Sequence, residues 1–102
     1  MADLVVIYKT PTDPAAFDAY YTATHIPLAK KLPGLKSYQV SKGDVVGPGG
    51  PSGVHLVATL TFDSVAAIQQ AFASPEGQAA AGDLPNFASG GADLLFFDTK
   101  EV

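Results

Sequence analysis

The chain has 102 residues, of which 47 % are hydrophobic and 16 % charged, so it is a globular chain with material for one core and not two. Its formal net charge is −4, and Lys30 and Lys31 are its only adjacent basic residues. A negative field repels nucleic acid and anionic membranes, so we expect neither as a partner.

Cysteine is absent, which excludes disulfides, thiolate zinc sites, iron–sulfur clusters and cysteine nucleophiles, and fits a reducing compartment. The amino-terminal apolar run covers only residues 4–8, which is too short for a signal-peptide core or a membrane span. We therefore expect a cytoplasmic protein in which residues 1–102 form a single domain.

The first two predicted elements are a strand and a helix. Residues 4–8 are a continuous run rich in β-branched side chains, which is typical of a strand buried on both faces. Asp13 and Pro14 favour a helix start, and the apolar spacing is helical from there to about residue 24. Because Pro27 lacks the N–H of a helix interior, we expect a kink or break at His25-Ile26 and one more turn up to Leu32.

The middle of the chain predicts two strands joined by a loop. Residues 35–42 alternate in polarity, residues 43–53 are rich in Gly and Pro, and residues 54–62 alternate again. One face of the later strand is apolar and carries Val54, Leu56, Ala58, Leu60 and Phe62.

The carboxy-terminal third predicts two helices and a last strand. Asp63 or Ser64 caps a helix that runs to about Ala73, and Ser74-Pro75 starts a shorter one that runs to about Ala81. Residues 83–91 are expected to be irregular, and residues 92–99 to form the strand.

The order β-α-β-β-α-(α)-β is typical of a ferredoxin-like α+β fold, with a four-stranded antiparallel sheet and helices on one face. The first and last strands carry adjacent apolar residues, so the second sheet face is also apolar. Such a patch exceeds what a monomer usually exposes, and we expect a homodimer that buries it. The alternative is a monomer in which the Gly/Pro loop partly covers that face.

Two segments resemble a known family. Residues 14–35 read PAAFDAYYTATHIPLAKKLPGL, which is similar to the signature of the EthD-like family, named for ethyl tert-butyl ether degradation. SPEGQ at residues 74–78, followed by DLPNF at residues 83–87, also resembles that family. The resemblance implies a dimeric α+β barrel of two sheets packed face to face. It implies no single reaction, since similar domains include polyketide cyclases, dehydratases, muconolactone isomerases and proteins of no established activity.

Three residues are the candidate catalytic groups. His25 follows Tyr21 by one helical turn, and histidine is the side chain best matched to proton transfer near neutral pH. Tyr21 and Tyr38 can donate hydrogen bonds to a substrate oxygen on which negative charge develops. The resemblance implies these roles too, since muconolactone-isomerase-like relatives line their pocket with residues at the positions of Tyr21, His25 and Tyr38. The alternatives are a structural histidine at the helix break and two core aromatics.

The other candidates are weaker. Tyr8 and Tyr20 are interpreted as structural, and His55, on the face opposite Leu56, as a solvated or interfacial residue unless it is a second pocket histidine. Two histidines 30 residues apart, with no carboxylate at helical spacing, do not make a metal-ligand set, and His25 alone is little support for haem. We therefore expect no metal and no cofactor.

Three functional hypotheses fit these residues. The first is a cofactor-free isomerase, dehydratase (a lyase) or cyclase that uses His-based proton transfer on a small carbonyl, lactone or phenolic compound. The second is a non-catalytic accessory protein that binds a hydrophobic metabolite in a degradation pathway. The third is a purely structural dimerisation module, which a structure without a cavity between helix and sheet would favour.

Overall fold

The computed structural model describes all residues from Met1 to Val102 and contains one four-stranded antiparallel sheet. Its strands are paired in the order β2-β5-β1-β6. Two further short strands, β3 and β4, form a hairpin within the Gly/Pro loop. The strand bounds are β1 Ala2–Lys9, β2 Ser37–Val40, β3 Val46–Gly47, β4 Gly50–Pro51, β5 Val54–Phe62 and β6 Ala92–Asp98.

The helices lie against one face of this sheet and begin where side chains cap them. Asp13, Ser64 and Ser74 each accept a hydrogen bond from the backbone N–H three residues later, at the starts of α1, α3 and α4. No helix is long and apolar enough to cross a membrane. The bounds are α1 Pro14–Tyr20, a π-helical segment Tyr21–His25, α2 Ile26–Ala29, α3 Val65–Ala73, α4 Pro75–Asp83 and a 3₁₀ turn Leu84–Asn86.

The core lies between the helices and alternate residues of the two central strands. On β1 the buried residues are Ala2, Leu4, Val6 and Tyr8, and on β5 they are Ala58, Leu60 and Phe62. Phe17, Ile68 and Phe87 cover them from the helical side. Each fully buried large side chain contributes about 1.5–3 kcal/mol relative to an exposed one. The predicted α+β, ferredoxin-like fold is confirmed. The predicted core face of β5 is found at Leu56, Ala58, Leu60 and Phe62 but not at Val54, which lies beyond an irregularity in the strand pairing.

The other face of the sheet, here named the open face, carries Val5, Ile7, Val57, Leu95 and Phe97. Leu95 pairs with Val5 across β1 and β6, and the two side chains lie on the same side of the sheet. Leu95 is 54 % exposed and Phe97 is 44 % exposed. The helices cover only one face of the sheet, so in the single chain the open face stays partly exposed, and its burial by a second copy stays a prediction.

Three local predictions are also corrected. The chain does not break at His25-Ile26, because it continues as a π-helical segment in which the Ile26 N–H donates to the Tyr21 carbonyl, five residues back. β2 is shorter than predicted, with four residues, and the loop after it contains the β3–β4 hairpin. The segment from residue 83 is not wholly irregular, since Asp83 ends α4 and a 3₁₀ turn follows.

Candidate active site

An apolar cavity lies between the helices and the sheet. Sixteen residues line it and 14 of them are hydrophobic. Its volume, including the open mouth, is about 430 Å³. The structure brings the three candidate residues, Tyr21, His25 and Tyr38, to this one cavity.

His25 is held by a carboxylate at the end of α4. Its Nδ1 lies 3.0 Å from Oδ2 of Asp83, and both side chains are 7 % exposed. Asp83 also accepts hydrogen bonds from the Tyr20 hydroxyl at 2.6 Å and from the Asn86 amide at 3.0 Å. A carboxylate with three donors is a fixed acceptor, so it orients the imidazole ring.

The protonation states of this pair follow from burial and hydrogen bonding. Burial lowers the pKa of His25 below 6.5, and the hydrogen bond and charge of Asp83 oppose that shift without cancelling it. Burial alone would raise the pKa of Asp83, but the hydrogen bonds from Tyr20, Asn86 and His25 outweigh it and lower the pKa. At neutral pH the histidine is therefore neutral and the aspartate ionised.

These charge states fix the tautomer of His25. An ionised carboxylate only accepts, so Nδ1 carries the proton that is donated to Asp83, and Nε2 is left with a lone pair. Nε2 makes no hydrogen bond within the chain, and no buried side-chain nitrogen or oxygen lacks a partner, so Nε2 opens to the cavity. This arrangement is that of a general base.

The tyrosines supply hydrogen-bond donors at the same cavity. The hydroxyls of Tyr21 and Tyr38 lie 2.5 Å apart, and the Tyr21 ring centroid is 5.3 Å from that of His25. Burial raises the pKa values of Tyr8, Tyr21 and Tyr38 above the ordinary value of 10.0. The phenols therefore stay protonated at neutral pH and can polarise a substrate oxygen, but they cannot act as bases there.

His55 lies outside this cavity and does not face away from Leu56 as expected. Tyr8 pairs with Leu56 and Lys9 with Val54, so His55 is the extra residue of a bulge. Its Nε2 lies 2.8 Å from Oδ1 of Asp18, and its ring packs edge-on against Phe17, so it contacts α1. No group of three or more His, Cys, Asp or Glu side chains is placed to hold a metal ion.

Sequence reasoning missed Asp83 and its bond with Tyr20. Helical spacing around His25 could not reveal Asp83, which is 58 residues away and reaches His25 only through the packing of α4 on α2. Tyr20 was interpreted as structural, although its hydroxyl bonds the same carboxylate. One signal was available, since Asp83 and Asn86 both lie in the DLPNF block that resembles the family.

Comparisons with known proteins agree on the family. A family model of the EthD domain matches residues 9–91. An uncharacterized 11.0 kDa protein of Rhodococcus erythropolis, from the thcB-thcC intergenic region, is 45 % identical over 100 % of this chain and 98 % of its own length. The crystal structure of an EthD family protein from Bacillus halodurans C-125 is 35 % identical, covers 98 % of this chain and 99 % of that one, and has a TM-score of 0.88.

A more distant structure shares the fold. SnoaB, a cofactor-independent oxygenase from Streptomyces nogalater, has a TM-score of 0.70 over 99 % of this chain and 94 % of that one. At 15 % identity this likeness shows the fold alone. The family model and the two closer relatives span nearly the whole sequence and include both segments that resembled the family, so the chain belongs to the EthD family.

Proposed function

We propose that this protein is an enzyme of small-molecule metabolism that moves a proton on a carbonyl or phenolic compound with His25 as general base. One observation carries the proposal. A neutral histidine, held through Nδ1 by a buried carboxylate, presents Nε2 to an apolar cavity that three tyrosines, Tyr8, Tyr21 and Tyr38, also line. A buried imidazole N–H needs an acceptor whatever its role, but only a role in the cavity makes use of the Nε2 lone pair that this acceptor leaves free.

The first chemical step uses only groups of this chain. Nε2 of His25 takes the proton from a carbon next to the substrate carbonyl, and the C–H electron pair forms a carbon–carbon double bond while the carbonyl pair moves to oxygen. A hydroxyl of the Tyr21–Tyr38 pair donates to that oxygen and stabilises the enolate. Asp83 stabilises the imidazolium that forms on His25. General acid–base catalysis of this kind is worth ~10²–10⁴ in rate.

The imidazolium then decides the net reaction by where it returns the proton. Return to a different carbon completes an isomerisation, and transfer to a departing hydroxyl completes a dehydration. In a cyclisation the enolate carbon attacks a second carbonyl, and the imidazolium protonates the new alkoxide. All three reactions use the same groups of the site. The site therefore supports proton-transfer chemistry in general, and the substrate determines which of the three reactions takes place.

The second candidate is a protein that binds the same kind of compound without turning it over. The mostly hydrophobic lining favours it, since such a lining is suited to holding an apolar metabolite. It gives no role, however, to the free lone pair of His25 Nε2 in the cavity. We therefore rank it below the enzyme.

We also propose that the working unit is a homodimer, as the sequence predicted. The open face presents Leu95 and Phe97 to solvent next to Val5 and Ile7. A second copy placed on it by a two-fold axis would cover the same patch on both chains. The cytoplasmic location stays a prediction from the sequence.

The decisive experiment measures proton abstraction directly. Wild-type protein is incubated in D₂O with uncharged ketones, such as 1-phenylpropan-2-one, and loss of the benzylic proton signal is followed by NMR. His25→Asn should slow the catalysed exchange by about 10²-fold or more. His55→Asn is the matched control, because it makes the same change outside the cavity, and it should leave exchange unchanged.

Equal exchange rates in folded wild type and folded His25→Asn would refute the proposal that the protein is an enzyme with His25 as its base. Binding of the ketone without exchange in either protein would favour the binding protein instead.

A further inference from the structure

The walls of the cavity carry no full charge. None of the 16 lining residues is Lys, Arg, Asp or Glu. Asp83, which bonds the His25 ring, is ionised and negative. The chain as a whole is also negative, at −4. A ligand in the cavity therefore meets no positive group that could neutralise an anion.

We propose that the part of the ligand that enters this cavity is uncharged, and that it carries one acceptor oxygen next to an acidic hydrogen. Carboxylates are rejected by the cavity itself. Phenols, enolisable ketones and 1,3-diketones fit this description. The inference rests on the proposed function for the roles of His25 and the tyrosines, but its electrostatic part depends only on the charges around the cavity.

The hydrogen-bonding groups define the complementary ligand. Tyr8, Tyr21 and Tyr38 line the cavity with three hydroxyl hydrogens, and the bonds of Tyr21 with Tyr38 and Tyr8 use two of them. The third is free to donate, so the ligand must present an acceptor there. Nε2 of His25 has a lone pair and no hydrogen, so the ligand must present a hydrogen to it. A carboxylate offers two acceptors and no hydrogen, and it therefore mismatches Nε2.

Charge adds to this mismatch. A carboxylate in the cavity would lose its hydration and would lie near the Asp83 carboxylate with only a neutral ring between them. We expect it to bind on the order of a hundredfold more weakly than an uncharged compound of the same shape.

The matched probes are 1-phenylpropan-2-one and phenylacetate, which differ by a methyl group in place of an oxygen anion. Each is titrated into ¹⁵N-labelled wild-type protein at pH 7, and dissociation constants are taken from the amide shifts of Tyr21, His25 and Tyr38. The ketone should shift these amides, and the carboxylate should need on the order of a hundredfold higher concentration. Binding of both with similar affinity, or absence of ketone binding at these residues, would overturn the proposal.

A variant at the cavity mouth makes the test independent of the catalytic groups. Ala81 lines the cavity yet is exposed on α4, so a long side chain fits there without repacking the core. Ala81→Lys should bind phenylacetate roughly tenfold more tightly than Ala81→Gln, the uncharged control of similar length, whereas the two variants should bind the ketone equally. No gain for Ala81→Lys would contradict the electrostatic argument.

The two proposals fail separately. Suppose that the protein binds the ketone in preference to phenylacetate, but that His25→Asn does not slow exchange. This inference would then stand, and the proposal that His25 is a catalytic base would be refuted.

Discussion

Replacing Asp83 by asparagine should separate catalysis from stability at this site. The asparagine oxygen can still accept from Tyr20 and Asn86, which both bond Oδ1 of the aspartate. Its NH₂ group then faces Nδ1 of His25 and must donate to it. That contact favours the tautomer with the proton on Nε2, which can no longer act as a base. We therefore expect a folded protein with a disabled histidine.

The expected magnitudes follow from the three bonds. A hydrogen bond to a charged partner contributes about 1.5–3 kcal/mol to stability, and a neutral one about 0.5–1.5 kcal/mol. Asn86 is solvent-exposed, so its bond to Asp83 contributes little to stability. Asp83→Asn should therefore lower the free energy of unfolding by about 1–2 kcal/mol, through His25 and Tyr20. Asp83→Ala removes both acceptors and should cost about 2–4 kcal/mol, which a domain of this size tolerates at a typical stability of about 5–15 kcal/mol.

The assay combines urea unfolding with the deuterium-exchange rate on a bound ketone. Asp83→Asn should slow exchange by ~10²–10⁴ while its dissociation constant for the ketone stays close to that of the wild type. Tyr20→Phe is the informative companion, because it removes one donor to Asp83 and leaves the tautomer unchanged, so exchange should fall by much less. A wild-type exchange rate in folded Asp83→Asn would show that Asp83 does not set the state of His25.

Three further predictions test the tyrosines, the protonation of His25 and the open face. Tyr38→Phe should raise the activation free energy of exchange by about 1–3 kcal/mol, as for one lost hydrogen bond to a developing oxyanion. An unchanged rate would show that Tyr38 does not contribute to the reaction. The pKa of His25 is below 6.5 in the folded protein, so unfolding takes up a proton as the pH falls. The free energy of unfolding should therefore be constant near neutral pH and decrease as the pH falls from 6.5 through that pKa. Urea titrations of His25→Asn should lack this decrease. Sedimentation of the wild type should give a mass near twice 10.5 kDa. Val57→Glu places a charge on the open face and should yield monomers or insoluble protein. Val46→Glu, in the exposed β3–β4 hairpin, is the control and should stay dimeric.

The fold could be predicted because the local signals agree with one another. Alternation along residues 54–62 matches the buried series Ala58, Leu60 and Phe62, and the serines at 64 and 74 cap the helices as expected. The errors occurred where the structure depends on tertiary packing, which local sequence patterns do not report. β1 is apolar on both sides in sequence, but which side the helices cover, and what covers the other, depends on packing that periodicity does not encode.

The site was only partly predictable for a similar reason. Tyr21 and His25 are near in sequence, so spacing could pair them, and Tyr38 was placed beside them by the resemblance to the family. Asp83 meets His25 across a tertiary contact between two helices, and no local rule reports such a contact. The alternation rule also failed at His55, because a single inserted residue at a bulge changes the face on which a side chain lies.

The π-helical segment explains how Tyr20 and His25 reach the same carboxylate. Tyr20 and His25 are five residues apart, and in an α-helix their side chains would differ by about 140° around the axis, since each residue turns about 100°. Yet both bond the same carboxylate, Asp83. In the π-helical segment the backbone bond spans five residues instead of four, so each turn holds more residues and residues five apart lie closer to one face. Pro27 therefore follows a wider turn, where the sequence predicted a kink or break. That turn allows one aspartate to hold Tyr20 and His25 together, while Tyr21, between them in sequence, still faces the cavity.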